Sequence, residues 1–467
     1  MKANLQPIFD YAIQHRPDFL NNLSEFLKIK TVSSDSAYTE EMKRGADWLA
    51  KFLKKLGAAN ISVLETKKYP VVFAELLTAG KEKPTILIYG HYDVQPADPL
   101  ELWDSDPFQA EIKDGKLYAR GASDMKGQLM ITLSAIEAIQ AVSTMPVNLK
   151  FLIEGEEEIG SPSIDYFLDK HKELLKSDFV LNLDAGMISK DKPTIVYGLR
   201  GLAYFEICVS GPAQDLHSGL FGGVVYNPIQ ALCELIAGMK NSNGVIQLPG
   251  FYEDVLPISD KEKEALAKLG MDEDFYKKHT GVSYLYGEEG YTPVERIGAR
   301  PTLDVNGIWG GYIGEGPKTV IPAEAHAKLS MRLVPNQTPE KVGSQLKQYL
   351  DKHIPKGVNY KLVQLSSDPA SITDPDYYAT RCFAESIKQV WGIEPVFQRG
   401  GGSIPIVTHI QSMLKIESVL SGFSLPEDNI HSPNERLHLD VFYKGINTII
   451  DYFFRVGEAC NQHDNSI

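Results

Sequence analysis

The chain has few cysteines and no excess of positive charge. Its four cysteines are scattered over 467 residues without a Cys-x-x-Cys spacing, so the spacing implies neither a disulfide framework nor a cysteine zinc site. Lysine and arginine number 47 against 61 aspartates and glutamates, so the net charge is −14. Nucleic acids and anionic membranes bind dense basic patches. We therefore expect no nucleic acid and no membrane as a partner.

Long hydrophobic runs are also missing. No window approaches the roughly 20 consecutive apolar residues that a membrane helix needs. The segment Met1–Pro7 lacks the uninterrupted apolar core of a signal peptide. We expect the four scattered cysteines to be reduced, mostly buried thiols. These absences together predict a cytoplasmic protein.

The pattern of apolar residues predicts an α/β protein with two domains. A chain of this length is too long for one ordinary core. Helices alternate with apolar strands as far as Asp184, which is typical of a mostly parallel sheet flanked by helices. From about residue 200 the pattern becomes that of a smaller α+β domain interrupted by a polar stretch over residues 241–301. We expect residues 1–199 and 373–467 to form the first domain and residues 200–372 the inserted one.

Imidazole and carboxylate side chains follow several of the predicted strands. The apolar run Thr85–Tyr89 leads into His91 and Asp93, and later strands lead into Glu156-Glu157-Glu158 and into Asp184. Ligands bind at the carboxyl ends of parallel strands. Carboxylates gathered there repel one another unless cations neutralise them. The pattern therefore predicts bound metal, as one ion or two.

The candidate ligands are nitrogen and oxygen donors. Zinc accepts imidazole and carboxylate, and a catalytic zinc keeps one position open for water. Two ions could share one bridging carboxylate, with two further protein ligands each. Five residues at predicted strand ends or in loops are the candidates: His91, Asp124, Glu158, Asp184 and His431.

Each candidate has a simpler interpretation when taken alone. Asp124 precedes a helix predicted from about Lys126 to Gln140, so it could be a helix cap. The three successive glutamates could be a solvated charge run, and a lone loop histidine is usually a solvated side chain. Their joint placement at successive strand ends favours the metal site.

Five ordered motifs resemble those of the di-zinc amidohydrolase family. That family includes carnosinase, the cytosolic non-specific dipeptidase, aminoacylase, acetylornithine deacetylase and succinyl-diaminopimelate desuccinylase. The match covers nearly the whole chain and is closest to the carnosinase-like dipeptidase branch. The motifs are Gly90–Val94, Arg120–Gly127, Glu157–Ser161, Asp215–Gly219 and Gly401–Pro405.

The resemblance implies two Zn²⁺ per subunit. His91 and Asp184 would bind one ion, Glu158 and His431 would bind the other, and Asp124 would bridge them. Mn²⁺ and Co²⁺ accept the same nitrogen and oxygen ligands. The fold implied is a zinc-exopeptidase-like catalytic domain with an inserted lid or dimerisation domain.

The resemblance also implies three catalytic roles. Asp93 would accept the second ring N–H of His91 and fix its tautomer, and Glu157 would be the general base for the attacking water. Adjacent glutamates at a strand end point opposite ways, which would let Glu158 ligate while Glu157 serves the water. His217 would stabilise the oxyanion in the partner subunit, so a homodimer is implied.

Substrate binding is implied for residues further along the chain. Arg332 resembles the arginine that clamps a C-terminal carboxylate, a contact suited to its planar fork. A surface strand cation is the alternative interpretation of Arg332. Thr319 would contribute from the partner subunit. The remaining carboxylate contacts would come from Gly401, Gly402 and Ser403.

The expected function is hydrolysis of dipeptides or small peptides with a free C-terminal carboxylate. Two departures from the dipeptidase branch leave an N-acyl-amino-acid deacylase, of the acetylornithine or succinyl-diaminopimelate type, as the alternative. Gly400 stands where that branch carries an acid for the substrate amine, and Met125 stands where it tends to carry a polar residue. A non-catalytic binding protein on the same scaffold is a third hypothesis. That hypothesis predicts that some metal ligands or the general base are lost, whereas the five candidate ligands and Glu157 are all present.

Overall fold

The computed structural model describes residues 4–402 and 404–463. The chain divides into two compact units. Unit 1 is formed by the chain up to Tyr197, by Thr373–Phe397 and by the chain from Pro405 onward. Unit 2 is formed by Gly198–Ile372 and by a second segment that starts at Gln398.

Helices occur throughout both units. They are α1 (Gln6–Gln14), α2 (Arg16–Leu27), α3 (Thr39–Lys55), α4 (Lys126–Val142), α5 (Ile164–Lys170), α6 (Ser218–Phe221), α7 (Pro228–Gly238), α8 (Asp260–Ala267), α9 (Glu273–Thr280), α10 (Pro293–Gly298), α11 (Pro339–His353), α12 (Tyr378–Trp391), α13 (Pro405–Leu414) and α14 (Leu439–His463). In the described parts of the chain, none of these helices is both long enough and apolar enough to cross a membrane.

The strands form a large sheet in unit 1 and smaller sheets elsewhere. They are β1 (Ala59–Leu64), β2 (Val71–Leu76), β3 (Thr85–His91), β4 (Glu111–Lys113), β5 (Lys116–Tyr118), β6 (Asn148–Glu154), β7 (Phe179–Asn182), β8 (Thr194–Leu199), β9 (Gly201–Ser210), β10 (Leu216–His217), β11 (Thr302–Gly310), β12 (Val320–Ile321), β13 (Glu324–Leu333), β14 (Asn359–Asp368), β15 (Ser371–Ile372), β16 (Val396–Gly400), β17 (Glu417–Ser421) and β18 (Arg436–His438).

The expected α/β fold with a mostly parallel central sheet is confirmed. The large sheet runs in the order β1-β2-β6-β3-β7-β17-β8. Its centre, from β6 through β3 and β7 to β17, is parallel, and its outer strands pair antiparallel. Strands β3 and β6 are buried along almost their whole length, because helices cover both faces. The carboxyl ends of the parallel strands therefore meet at one edge.

Unit 2 is built on an antiparallel sheet in the order β11-β13-β9-β14. Along strands β9 and β13 every second residue is buried, and the residues between are half-buried or exposed, so only one face of the sheet is packed. The buried face packs against helices α7 and α11 around Phe205, Leu329 and Leu346. The opposite face carries the polar side chains of both strands.

Local sequence features mark the starts of several helices. Pro17 lies in the first turn of α2, where its missing N–H costs nothing. The polar stretch over residues 241–301 contains helices α8, α9 and α10. Helices α8 and α10 begin at capping boxes, in which Ser259 pairs with Glu262 and Thr292 pairs with Glu295. These short helices lack the long apolar stripe that makes a helix visible in sequence.

Candidate metal centre and active site

His91 is the last residue of β3 and is fully buried. Its Nδ1 lies 3.0 Å from the backbone oxygen of Asp93 and 3.4 Å from the carboxylate Oδ1 of the same residue. The carboxylate also accepts the backbone N–H of Glu158 at 3.1 Å. Asp93 therefore fixes one nitrogen of the ring, and the closer contact is through its carbonyl. The other nitrogen, Nε2, is buried without a well-formed hydrogen bond.

Asp124 lies between two histidines that are far apart in the sequence. Its Oδ1 is 3.3 Å from His91 Nε2, and its Oδ2 is 2.9 Å from His431 Nε2. One carboxylate thus faces both imidazoles with different oxygens. This arrangement is the one expected of a bridging ligand.

The structure brings all five candidate ligands together. Asp184, two residues beyond the end of β7, places Oδ1 3.7 Å from His91 Nε2. On the other side, Glu158 Oε2 lies 3.2 Å from His431 Nε2. Two triads result, within each of which one donor atom per residue lies within 4.8 Å of the others, and they share Asp124: His91–Asp124–Asp184 and Asp124–Glu158–His431.

The two adjacent glutamates lie in a turn, so the strand argument for them is wrong. Strand β6 ends at Glu154, and Glu157 and Glu158 belong to a short 3₁₀ turn over Glu157–Ile159. The turn still separates their side chains. Glu158 faces His431, whereas Glu157 Oε2 lies 3.9 Å from His91 Nε2.

The charges of this cluster are unbalanced in favour of the acids. Burial, followed by the nearby Asp184, raises the pKa of Glu157 to about 9. The hydrogen bonds to Asp124 and Glu158 raise the pKa of His431 to about 10. Burial alone would lower the pKa of His91, but Asp184 and the other acids raise it well above its usual value. The acids around His91 and His431 thus favour the positively charged form of both imidazoles.

The donor set fits two divalent cations. Imidazole nitrogen and carboxylate oxygen are ligands of zinc, manganese and cobalt. The buried Nε2 of His91 faces two carboxylates without a well-formed hydrogen bond, as a ligand atom would. Each triad supplies three protein donors, and a catalytic ion keeps a further position open. His431, which is 52% exposed, marks the side of the cluster that solvent reaches.

A buried glutamate that the sequence did not reveal holds the turn around Asp124. Glu435 accepts backbone N–H groups from Gly121, Ser123 and Asp124 at 2.9–3.1 Å. Its charge is paired with Arg120, whose Nη1 lies 2.6 Å away. Both side chains are buried. Nothing in the local sequence around Glu435 signals this role, because its partners lie more than 300 residues earlier.

Another missed residue is Gln95, which follows the His91 motif. Its Nε2 donates to Glu158 Oε2 at 2.8 Å and to the backbone oxygen of Glu158 at 3.2 Å. The carboxylate of Glu158 is therefore oriented from a second side. The position of Gln95, four residues after His91, is the only signal that could have suggested it.

The remaining predicted residues belong to unit 2, and two of them are neighbours. His217 is exposed at the end of strand β10, directly before α6, and its Nδ1 accepts the backbone N–H of Gly219 at 2.9 Å. Strand β10 pairs His217 with Val320, next to Thr319. The backbone oxygen of Thr319 accepts the N–H of Ser218 at 3.0 Å. His217 and Thr319 are thus presented together.

Arg332 is accompanied by a second guanidinium. Arg332 lies on the half-buried face of β13. Burial, followed by the charge of Arg332, lowers the pKa of Arg200 to about 10. Arg200 donates through Nε to the backbone oxygen of Gly401 at 2.8 Å. The structure describes Gly401 and Gly402, whereas Ser403 lies outside the described residues.

A family model decides what this arrangement is. Residues 87–455 match the model of "Peptidase family M20/M25/M40", which spans every one of the five candidate ligands. The chain belongs to this peptidase family. Within the M20 family, the resemblance to the carnosinase-like branch is also confirmed.

Named relatives match almost end to end. The chain is 32% identical to the Cys-Gly metallodipeptidase dug1 of Schizosaccharomyces pombe, covering 97% of this chain and 98% of that protein. It is also 32% identical to human Beta-Ala-His dipeptidase, covering 98% and 93%. A solved M20 family metallo-carboxypeptidase, Sso-CP2 from Sulfolobus solfataricus, is 35% identical with a TM-score of 0.81, over 94% of this chain and 99% of that one.

Proposed function

We propose that this M20 chain is a metal-dependent dipeptidase that hydrolyses small peptides with a free C-terminal carboxylate. One observation carries the proposal: two donor triads share Asp124, and Glu157 lies beside them. The relatives named as Cys-Gly and Beta-Ala-His dipeptidases support the substrate class. Two Zn²⁺ per subunit are our proposal for the metals, with His91, Asp124 and Asp184 around one and Asp124, Glu158 and His431 around the other.

Metal ions bound by these residues would polarise the scissile carbonyl and lower the pKa of water. The chain itself supplies the proton transfers. Cations bound beside Glu157 would favour its ionised form over the protonated one, and Glu157 then takes a proton from the attacking water and returns it to the leaving amine. Asp93 and Gln95 hold His91 and Glu158 in place, so the donor atoms keep their positions during turnover.

Substrate recognition is proposed for the residues of unit 2. The paired charges of Arg332 and Arg200 would favour a carboxylate, and the guanidinium fork of Arg332 binds it in a bidentate manner. Backbone groups of Gly401 and Gly402, with Ser403, complete the carboxylate contacts. His217 and Thr319 act on the site of the partner subunit in a homodimer, where His217 stabilises the developing oxyanion.

We also propose a cytoplasmic location. The three cysteines whose side chains the structure describes, Cys208, Cys233 and Cys382, are free thiols. Free thiols without disulfides are usual in a reducing compartment.

The test is a panel of dipeptides assayed with the Glu157→Gln protein. Loss of the base should lower kcat roughly 10²- to 10⁴-fold with little change in bound metal. Glu173→Gln, an exposed glutamate of the same unit, is the matched control and should keep full activity. A Glu157→Gln protein that turns over at the normal rate would end the proposal.

A second candidate function is N-acyl-amino-acid deacylation. Gly400, at the end of β16, supplies no side-chain charge for a free substrate amine, so this position does not select against acylated substrates. Assaying the dipeptides beside single amino acids that carry an N-acetyl group separates the two functions. Release of acetate and the free amino acid from the acetylated set alone would favour the deacylase.

A further inference from the structure

A cluster of metal-binding residue types lies on the open face of the unit 2 sheet. Cys208 on β9 is the direct cross-strand neighbour of His326 on β13. Glu324 is two residues before His326 and so projects on the same side. His326 Nε2 lies 3.9 Å from Cys208 Sγ and 3.6 Å from Glu324 Oε2.

We propose that Cys208, Glu324 and His326 bind one divalent transition-metal ion, such as Zn²⁺, at a site separate from the metal centre of unit 1. In a tetrahedral zinc site the ligand distances place sulfur and nitrogen about 3.5 Å apart, and nitrogen and oxygen about 3.4 Å apart. The observed separations exceed these values by only a few tenths of an ångström. Small side-chain rotations would bring the three donors into ligand range.

The imidazole of His326 is oriented as in known zinc sites. A histidine ligand usually directs its second nitrogen at a carboxylate or carbonyl. Here Nδ1 is buried and lies 3.4 Å from Glu206 Oε1. The ring of Trp309 stacks on the imidazole ring of His326, with centroids 5.0 Å apart and an interplanar angle of 3°. Nε2 is thereby left to face Cys208 and Glu324.

The ligand types select the metal. Thiolate with imidazole and carboxylate suits zinc and related transition metals, whereas Mg²⁺ and Ca²⁺ prefer oxygen alone. Binding replaces the S–H bond of Cys208 with a sulfur–metal bond and releases one proton to solvent, without oxidation or reduction. Burial, followed by Glu324 and Glu206, raises the pKa of the Cys208 thiol, and a cation among these acids reverses that effect.

Such an ion would join two neighbouring strands. It would connect β9 and β13, the central pair of the unit 2 sheet, at the end of the ladder distant from Arg332. Three protein ligands leave a fourth position for water. In the competing interpretation no metal binds, and the ring of His326 contacts only Glu206, Glu324 and its other protein neighbours.

Cobalt binding distinguishes the two interpretations. A thiolate bound to Co²⁺ gives a sulfur-to-metal charge-transfer band in the near ultraviolet, whereas the oxygen and nitrogen ligands of the unit 1 centre give none. Titration of the metal-free full-length chain with Co²⁺ should produce this band, with a limiting intensity that corresponds to one thiolate-bound ion per chain. Cys208→Ser should abolish it, His326→Ala should weaken it, and His431→Ala should keep it.

Several results would overturn the proposal. They are the absence of the band in the unaltered protein, its persistence in Cys208→Ser, or its loss in Cys233→Ser, which alters an exposed thiol on α7. The first of these results is obtained with the unaltered protein and so does not depend on the folding of any variant.

As a second measurement, Zn²⁺ should raise the Tm of the His431→Ala protein more than that of the protein that combines His431→Ala with His326→Gln. Equal shifts would also overturn the proposal, and neither readout depends on peptide hydrolysis.

Discussion

At the scale of single residues, Glu435 supports the metal centre from behind the ligands. This buried carboxylate receives three backbone N–H groups from the turn that carries Asp124 and pairs with Arg120. It is not one of the five candidate ligands. Its role is to position the bridging carboxylate, in the way that residues behind metal ligands tune affinity.

We expect Glu435→Gln to weaken metal binding about 10- to 100-fold. The amide keeps the shape but loses the negative charge opposite Arg120 and one of two acceptor oxygens. Metal affinity measured by competition with a chelator checks this, with circular dichroism to confirm folding. Glu427→Gln, an exposed glutamate of the same loop, should leave the affinity unchanged. Equal affinities for Glu435→Gln and the unaltered protein would contradict the positioning role.

Residues of the site differ in how far the sequence reveals them. His91, Asp124 and Asp184 could be singled out because each follows a recognisable strand or sits in a motif, whereas His431 is a loop histidine whose ligand role came from the resemblance. Glu435 and Arg200 could not, because a buried ion pair or a second guanidinium depends on partners that only the fold brings near. Assignment of the separate roles of Glu157 and Glu158 came from the resemblance, since the strand geometry invoked for them is absent.

At the scale of elements, helix α8, in the polar stretch over residues 241–301, is linked by an ion pair to the segment that precedes Gly401 and Gly402. Glu262 closes the capping box at the start of α8 and also pairs with Arg399. Arg399 is 5% exposed and precedes the segment that contains Gly401 and Gly402. The sequence predicted neither α8 nor this pairing, because a helix of eight residues leaves almost no apolar periodicity.

We expect Glu262→Gln to raise KM for dipeptides while changing kcat little. The substitution replaces the ion pair between Glu262 and the buried guanidinium of Arg399 with a neutral contact, which costs about 1–3 kcal/mol and loosens the segment next to Gly401. Steady-state kinetics with one dipeptide provide the measurement. Glu264→Gln, exposed on the same helix, is the control. A fall in kcat at constant KM would argue against this anchoring role.

At the scale of the whole molecule, bound metal should stabilise the fold as well as the reaction. The ligands come from both ends of the unit 1 chain, so ions that bind only the folded state stabilise it by mass action. The gain is about 2.7 kcal/mol when the free ion stands at 100 times its Kd. We expect a chelator to abolish activity and lower Tm, and Zn²⁺, Mn²⁺ or Co²⁺ to restore both. Full activity after verified metal removal would contradict the proposal.

The proposed exchange of His217 between subunits predicts complementation. His217→Ala and Glu157→Gln proteins should each be nearly inactive alone. When they are co-expressed, a mixed dimer combines the intact Glu157 of one chain with the intact His217 of the other at one site. Activity should therefore be partly restored in the isolated mixed dimer. Mixed dimers as inactive as the parents would place His217 in its own subunit's site or outside catalysis.

The link between Arg120 and Glu435 spans 315 positions of the chain. A ribosome that has made Asp124 must add 307 further residues to reach His431, which completes the second triad, and 311 to reach Glu435, which secures the turn around Asp124. Peptide-cleaving ability therefore arises only after both residues have been added. A translation product that stops before His431 would lack a ligand of the second triad and with it the hydrolytic capacity.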